Sequence, residues 1–273
     1  MSVIKEPSGR RYIQVEAEVP GTPEEVWQAI ATGPGVSSWF VPTEADDHVG
    51  GVVTSHFGPG MDGVATITAW DPPHLFAAES QNMGPGAPPL ATEWTVEARA
   101  GGTCIVRVVH SLFADTDDWD RELGGMENGW PSFFHILRLY LIRFRGLPSA
   151  TFQVMGFASD SPREAWSRLI AQLGLNSIAE GQHWTSPAGP PPLAGVVERI
   201  SLHSDPHQVL RLDQPADGVA LLNACGMGGQ VFVSLCFYFY GEGAAASVAD
   251  SEPRWQAWVG EQFPMAAAPE SAA

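Results

Sequence analysis

The chain has few cysteines and no long apolar segment, and these absences exclude several classes of protein. Its three cysteines, Cys104, Cys225 and Cys236, are an odd number with no close pair, so a disulfide framework is not expected. Cys104 and Cys236 fall in apolar, strand-like runs, where a buried reduced thiol is usual. The longest apolar stretch, Val231 to Tyr240, is about half of what a membrane span requires. Since the N-terminus has no apolar signal core, we expect a cytoplasmic protein without membrane insertion.

Positive charge is scarce as well. The sequence has 14 lysine and arginine residues against 31 acidic residues, and its formal net charge is −17. Lys5 is the only lysine. A surface of this sign repels polyanions, which argues against nucleic acid as a partner.

Residue spacings that bind metals or phosphates are also missing. The sequence contains no His-x-His, no Cys-x-x-Cys and no His-x-x-x-His in a helical segment. Gly-rich pieces such as Gly226-Met227-Gly228-Gly229 have no Lys-Ser/Thr continuation, and no Gly-x-Ser-x-Gly elbow occurs. We therefore expect neither a metal site nor a cofactor.

The most informative feature that is present is a repeat. Ile13-Gln14-Val15 is followed by Thr22-Pro23-Glu24-Glu25-Val26-Trp27, and Phe152-Gln153-Val154 is followed by Ser161-Pro162-Arg163-Glu164-Ala165-Trp166. Both pieces recur at the same offset of 139 residues. A period of this length indicates tandem domains, because the units of a solenoid are far shorter.

The repeat predicts the domain boundaries. We expect a first domain over residues 1–147 and a second, shortened domain over residues 148–265. Residues 266–273 are rich in Ala, Pro and Ser and are expected to be a disordered tail.

In the first half, the pattern predicts a strand at Tyr12–Val19 and then a helix with Thr22 at the N-cap, Pro23 in the first turn and Glu25 completing a capping box. Gly33-Pro34-Gly35 should end that helix, with a short second helix over Val36–Phe40. Further strands are expected at Val52–Phe57, Val64–Trp70, Leu75–Ser80, Thr92–Ala98 and Thr103–Leu112, with a Gly101-Gly102 hairpin before the last. Apolar residues at three- and four-residue steps predict a long helix from Glu127 to Phe144.

The second half repeats this scheme in a thinner form. Strands are expected at Phe152–Ala158, Val196–Leu202, Val209–Leu212, Val219–Ala224 and Gln230–Tyr240, with helices opening at Ser161 and spanning Glu252–Phe263. The segment from Pro187 to Pro192 stands where the first half has an early strand pair, and its prolines do not fit a sheet ladder.

Four motifs in the first half carry a resemblance to a known family. They are Val15-Glu16-Ala17 before Pro23-Glu24-Glu25-Val26-Trp27, Trp39-Phe40, Gly63-Val64-Ala65-Thr66-Ile67 leading to Asp71-Pro72-Pro73, and Glu127-Asn128-Gly129-Trp130. Over roughly residues 11 to 146 the chain resembles the START-like (SRPBCC) superfamily. Within it, the chain is most similar to the domain type named after the C-terminal part of the Hsp-ninety ATPase activator. The second half resembles the same family more weakly.

The resemblance implies an α+β fold with two tandem helix-grip domains, in which a curved antiparallel sheet wraps a long C-terminal helix. It also implies an apolar cavity between sheet and helix, and a link to the stress response. The activator's name refers to stimulating another protein's ATPase, so no ATP hydrolysis is implied.

The candidate ligand-binding residues are those expected to face this cavity. On the strand Thr103–Leu112, alternation puts His110 on the side facing the closing helix and Arg107 on the solvent side. The full set is Trp39, Phe40, His56, Trp94, Val108, His110, Trp130, Phe133, Phe134 and Leu137. A wall of aromatic side chains with one or two polar groups is typical of a small-molecule pocket. The alternative is that these side chains simply fill the core.

Three classes of function are compatible with these residues. The first is binding of a hydrophobic small molecule, lipid or polyketide-like, in the first domain. The second is an enzyme of the polyketide cyclase/aromatase type, which would need His110 or another group for proton transfer; no catalytic residue is assigned. The third is a co-chaperone-like module with a protein partner. The sequence sets neither the ligand nor the oligomeric state.

Overall fold

Two antiparallel sheets, one in each half of the chain, form the framework of the protein. The computed structural model describes residues 3–58, 60–80, 87–202, 205–227 and 230–264. The chain divides into two units, Met1–Arg145 and Gly146–Ala273. The tail predicted at residues 266–273 lies outside the described residues.

Among its described residues, the first unit contains eight strands. They are β1 Ile4–Lys5, β2 Arg10–Pro20, β3 Thr43–Ala45, β4 Val52–His56, β5 Asp62–Asp71, β6 Leu75–Ser80, β7 Leu90–Arg99 and β8 Thr103–Phe113. They form one sheet in the order β1-β2-β8-β7-β6-β5-β4-β3, with every neighbouring pair antiparallel. Each longer strand that the sequence predicts is present, and Gly101 and Gly102 join β7 to β8 with positive φ angles, as the hairpin requires.

The described residues of the first unit also form the helices α1 Pro23–Ala31, α2 Gly33–Ser37 and α3 Asp120–Arg143. The capping box at α1 is confirmed, because Thr22 accepts from the Glu25 backbone and the Glu25 side chain accepts from the Thr22 backbone. The position predicted for α2 is wrong. Thr32 is the N-cap of α2, since its hydroxyl accepts a hydrogen bond from the Gly35 backbone N–H, and Pro34 lies in the first turn. The Gly33-Pro34-Gly35 segment therefore begins the second helix as well as ending the first.

Helix α3 begins at Asp120, seven residues before the predicted start at Glu127. Gly124 and Gly125 lie in the added first turns, although glycine is unfavourable inside helices. Tertiary contacts override this preference: Leu123 is fully buried, and the Asp120 carboxylate accepts a hydrogen bond from Arg11 on β2. The loop between β8 and α3 therefore ends at Trp119.

The inward and outward faces of the first sheet follow the predicted alternation. On β8, Cys104, Val106, Val108, His110 and Leu112 are all buried. Arg107 lies on the opposite face, where its guanidinium pairs with Glu16 of β2 at 3.1 Å. The buried face packs against α3, and this packing is the helix grip.

Over the part of the second unit that the structure describes, the same order is repeated with six strands. They are β9 Ser149–Ala158, β10 His183–Thr185, β11 Ala194–Ser201, β12 His207–Gln214, β13 Gly218–Met227 and β14 Gln230–Tyr240, in the spatial order β10-β11-β12-β13-β14-β9. Helix α4 is Pro162–Gln172 and helix α5 is Ala244–Gln262. The repeat of strand, capped helix, antiparallel strands and long helix confirms the tandem helix-grip fold.

Two details of the second unit can be compared with the sequence. The capping box at Ser161 and Glu164 is confirmed, and no strand enters the proline-rich segment at 187–192. Helix α5 begins at Ala244, eight residues before the predicted start at Glu252. Its first turn is a run of alanines, the best helix formers, and Ala244 is buried.

A four-residue charge network fixes the N-terminal strand to the start of α3. Arg11 donates to Asp120 at 2.7 Å and to the Ala114 carbonyl at 3.1 Å, and it pairs with Asp117 at 2.8 Å. Lys5 pairs with both carboxylates, at 3.0 Å to Asp117 and 2.7 Å to Asp120. The hydrogen bond from Lys5 is the main cause that lowers the pKa of Asp120. Asp120 is therefore ionised at neutral pH and restrains the first turn of α3.

We predict that Asp120→Asn lowers the melting temperature of the protein at pH 7. The substitution weakens the pairing with two cations, one of which is the largely buried Arg11. Glu122→Gln removes the same charge from an exposed position of the same helical turn and serves as the matched control. Equal melting temperatures for the two variants in thermal denaturation would contradict a structural role for this network.

Candidate functional site

The structure brings six of the predicted aromatic residues into one network of ring contacts. It is formed by Trp39, Phe40, Trp94, Trp130, Phe133 and Phe134. Phe40 stacks on Trp130 with centroids 5.4 Å apart and meets Phe133 edge-on at 4.6 Å. Trp94 of β7 meets Trp130 edge-on at 5.0 Å. The network thus joins the sheet, the segment after α2 and helix α3.

The network has a buried floor and a partly exposed rim. Trp39 is fully buried and donates its indole N–H to the Ala29 carbonyl of α1 at 2.8 Å. Trp94, Trp130 and Phe134 are buried too, as are the predicted residues Val108 and Leu137. Phe40 and Phe133, in contrast, are only half-buried. The floor residues fill the core, and the rim residues are the ones that solvent or a ligand can reach.

His110 forms a buried chain of hydrogen bonds with Thr92 and Trp130. Its Nε2 accepts from the Trp130 indole N–H at 2.8 Å, and its Nδ1 lies 2.9 Å from the Thr92 hydroxyl. An indole nitrogen can only donate, so Nε2 must be unprotonated and the ring proton must sit on Nδ1. Both ring nitrogens of His110 are therefore engaged within the protein.

Burial keeps His110 neutral. The side chain lies between β2, β7 and α3 and stacks against the Trp130 ring at 5.6 Å. Desolvation lowers the pKa of His110 to about 4. At physiological pH the residue is an uncharged hydrogen-bonding element of the wall.

The structure places His56 apart from the other predicted site residues. On β4 it follows Ser55, whose hydroxyl lies 3.2 Å from that of the buried Thr43 on the concave side of the sheet. The His56 side chain, one residue along the strand from Ser55, points to the opposite face of the sheet. Its Nδ1 lies 2.9 Å from the Asp62 carboxylate across the β4–β5 pair. The pair is well exposed, so His56 belongs to the rim of the sheet and not to the ring network.

Sequence reasoning missed the hydroxyl groups on the concave side. Thr92 on β7 and Ser80 on β6 alternate with outward residues and lie on the same face as the buried Ala78 and Trp94. Both are half-buried. The hairpin register contained the signal, because counting outward from the Gly101-Gly102 turn sets Thr92 opposite His110.

Phe57 is a second missed residue. Its ring meets Phe40 edge-on at 5.9 Å and is 41% exposed. A Cβ atom built at Gly63 would lie 3.0 Å from the Phe57 ring, so the absence of a side chain there makes room for this ring. Phe57 thus extends the rim of Phe40 and Phe133 toward solvent.

A separate surface cleft lies at the other end of the same strands. It has a volume of about 260 Å³ and is lined by Glu18, Val19, Pro20, Thr103, Arg138 and Ile142. Its charged residues are exposed, and the Glu18 carboxylate accepts a hydrogen bond from Thr103 at 2.6 Å. The cleft contains none of the aromatic or histidine residues of the network, so the ring network and not this cleft is the candidate site.

In the second unit, aromatic side chains pack between the sheet and its long helix α5 and are buried. Phe152, Phe237, Phe239 and Trp255 belong to one core cluster, and each is at most 3% exposed. Phe152 stacks on Phe237 at 4.7 Å, and Phe237 contacts Trp255 of α5 at 5.1 Å. The inward aromatic residues of this unit are core residues.

Two classes of feature are not found in the described parts of the chain. Across residues 3–58, 60–80, 87–202, 205–227 and 230–264, no group of three His, Cys, Asp or Glu side chains is arranged to hold a metal ion. Within the same residues, no helix has the length and apolarity needed to cross a bilayer.

One family model matches most of the first unit. Residues 20–141 match the family model described as Activator of Hsp90 ATPase homolog 1-like protein. This agrees with the resemblance that the sequence motifs carry. No curated protein matches the chain.

Solved structures similar to the chain include single-domain and two-domain proteins. Protein MLL2253 from Mesorhizobium loti is 24% identical, with 49% of this chain and 98% of that chain covered and a TM-score of 0.44. The di-domain ARO/CYC protein BexL from the BE-7585A biosynthetic pathway is 12% identical, with 94% and 100% covered and a TM-score of 0.45. DynU16 from the dynemicin biosynthetic locus is 16% identical, with 93% and 96% covered and a TM-score of 0.43.

The environment of His110 predicts how stability depends on pH. The unfolded histidine binds a proton below its ordinary pKa of 6.5, whereas the folded one does so only near 4. The free energy of unfolding should therefore fall as the pH drops through this window, by about 2 kcal/mol between pH 7 and pH 5. Urea denaturation of the wild type and His110→Gln at both pH values measures the difference. An equal loss in both proteins would show that His110 does not titrate in this way.

Proposed function

We propose that the first unit binds an apolar small molecule of the lipid or polyketide class. The match of residues 20–141 to the family model described as Activator of Hsp90 ATPase homolog 1-like protein supports the proposal. The binding site is the concave side of the first sheet, with Phe40, Phe57 and Phe133 as its rim. The second unit is a structural partner of this binding domain.

One observation carries the proposal: three side chains around the ring network, on β7, on α3 and after α2, remain partly exposed. Phe40, Phe133 and Thr92 face the same space as Trp94 and are half-buried, whereas Trp94 is only 7% exposed. Half-buried aromatic rings lose contact with water when an apolar ligand covers them, which favours binding. The core cluster of the second unit offers no such aromatic rim, since its phenylalanines and Trp255 are fully buried.

The polar groups of this region suit orientation of the ligand more than chemistry. Ser55, Ser80 and Thr92 lie on the concave face of the sheet. Hydroxyls can donate to or accept from a carbonyl or hydroxyl of the ligand, and a few such groups among apolar residues typically fix orientation. An apolar ligand with some oxygen atoms fits this lining.

The geometry of His110 disfavours the cyclase alternative. A proton shuttle needs a free ring nitrogen and a pKa near the working pH. Both nitrogens of His110 are bonded to Trp130 and Thr92, and its pKa is about 4. Acid–base catalysis by His110 at neutral pH is therefore not part of the proposal.

We predict that the neutral fluorophore N-phenyl-1-naphthylamine binds the protein, and that Phe40→Ala and Phe133→Ala weaken this binding about tenfold each, because each removes one aromatic contact face. Phe113→Ala is the matched control, since Phe113 is 65% exposed and lies at the end of β8 in the same unit. Fluorescence titration gives the dissociation constants.

Circular dichroism and melting temperatures establish that each variant is folded. Phe133→Leu, which keeps most of the apolar volume, supplies a further variant in case truncation unfolds the domain. Binding that is unchanged in folded Phe40 and Phe133 variants, or that is lost equally in the Phe113 variant, would contradict the proposed site.

A further inference from the structure

We propose that His110 is a positioning residue, which holds the Trp130 ring in the orientation that the rim of the ligand site requires. The inference rests on the proposed function of the first unit. It assigns His110 an indirect role, through Trp130, in place of direct contact with the ligand.

The first step of the argument is that Trp130 connects His110 to the rim. The Trp130 indole N–H donates to His110 Nε2 at 2.8 Å, and the two rings stack with an interplanar angle of 22°. On its other side, Trp130 stacks with Phe40 at 5.4 Å and 18°. Trp130 also contacts Phe133 at 5.9 Å. A rotation of the indole would therefore displace both half-buried rim rings.

The second step is that His110 is itself held in one tautomer. The Thr92 hydroxyl lies 2.9 Å from Nδ1, and Thr92 is directly opposite His110 in the β7–β8 register. With the proton on Nδ1, the lone pair of Nε2 points at the indole N–H. Hydrogen bonds thus run from Thr92 on β7 through His110 to Trp130, and together they fix the plane of the Trp130 indole.

The third step concerns helix α3 next to Trp130. Pro131 follows directly and has no backbone N–H, so one intrahelical hydrogen bond is absent at this turn. Gly129 directly precedes Trp130, and glycine has a low helix propensity. The backbone restrains this turn less than a regular helix would, which makes the side-chain bond to His110 important for the position of Trp130.

Protonation of His110 would break this arrangement, because a protonated Nε2 carries a hydrogen and opposes the indole donor. The charged groups on the surrounding elements are Arg11 on β2, held by Asp117 and Asp120, the outward-facing Glu93 on β7, and Glu127 one turn before Trp130 on α3. Burial is the cause that shifts His110, and none of these charges contributes to it.

Two substitutions separate positioning from general stability. His110→Gln keeps a hydrogen-bond acceptor within reach of the indole but does not titrate, whereas His110→Leu keeps volume without an acceptor. For N-phenyl-1-naphthylamine at pH 7, we expect the Gln variant to bind within about threefold of the wild type and the Leu variant to bind up to about tenfold more weakly, the loss of one hydrogen bond.

The pH profile provides a readout that a purely structural role would not change. The dissociation constant of the wild type should be flat from pH 8 to about 5.5 and should rise about twofold by pH 4, while that of His110→Gln stays flat. Circular dichroism at each pH verifies that both proteins are folded. A flat wild-type profile, or the same rise in the Gln variant, would overturn the inference.

A ligand-free measurement distinguishes failure of this inference from failure of the proposed function. In a ¹H–¹⁵N spectrum, the Trp130 indole signal, identified by its loss in Trp130→Phe, should move in His110→Leu and stay near its wild-type position in His110→Gln. An unmoved signal in His110→Leu would overturn the positioning role even if the fluorophore binds. A moved signal together with absent fluorophore binding would support positioning and refute the proposed function.

Discussion

The hydrogen bond from the Trp130 indole to His110 joins the two parts of the first unit on which the candidate site depends. His110 belongs to β8, an interior strand of the sheet, and Trp130 belongs to the helix that the sheet grips. An indole N–H buried without an acceptor would cost more than the bond contributes, so strand and helix are constrained to this register. The ring network and the half-buried rim follow from that constraint.

The two units differ in how far their inward aromatic residues are buried between the sheet and the long helix. Both use a capped helix after the first strand and a long helix at the end, so the repeat encodes the fold. In the second unit, Phe152, Phe237, Phe239 and Trp255 are buried in one core cluster. Gly156 allows the backbone of β9 to approach α5, because a Cβ there would lie 2.5 Å from that of Phe263. These inward aromatic residues of the second unit are therefore buried more completely than Phe40 and Phe133 of the first.

Local signals account for what the sequence predicted well. Two kinds of local feature, the capping boxes at Thr22 and Ser161 and the Gly101-Gly102 hairpin, depend only on residues close together in the sequence. They can therefore be predicted from the sequence alone. The start of α3 could not be read, because the glycines in its first turns are outweighed by Arg11, which is distant in sequence. Short strands such as β1 and β3 were missed for a similar reason, since two or three residues carry no periodic pattern.

The sequence predicted which aromatic residues come together, but not which of them are buried and which are partly exposed. Alternation correctly placed His110 and Trp94 on the concave face. Trp130, Phe133 and Phe134 all lie on α3, yet only Phe133 is half-buried. Which aromatic rings are floor and which are rim therefore depends on how helix, sheet and the segment after α2 pack together, and that packing is a tertiary property. The engagement of both His110 nitrogens was equally hidden, because it requires Thr92 from one strand and Trp130 from the helix.

The most direct test of the account is a crystal structure of the protein soaked with 1-bromonaphthalene, with the bromine located by its anomalous signal. The account predicts a peak in the first unit within van der Waals distance of Phe40 and Phe133. A peak only in the surface cleft beside Arg138, or only within the second unit, would contradict it.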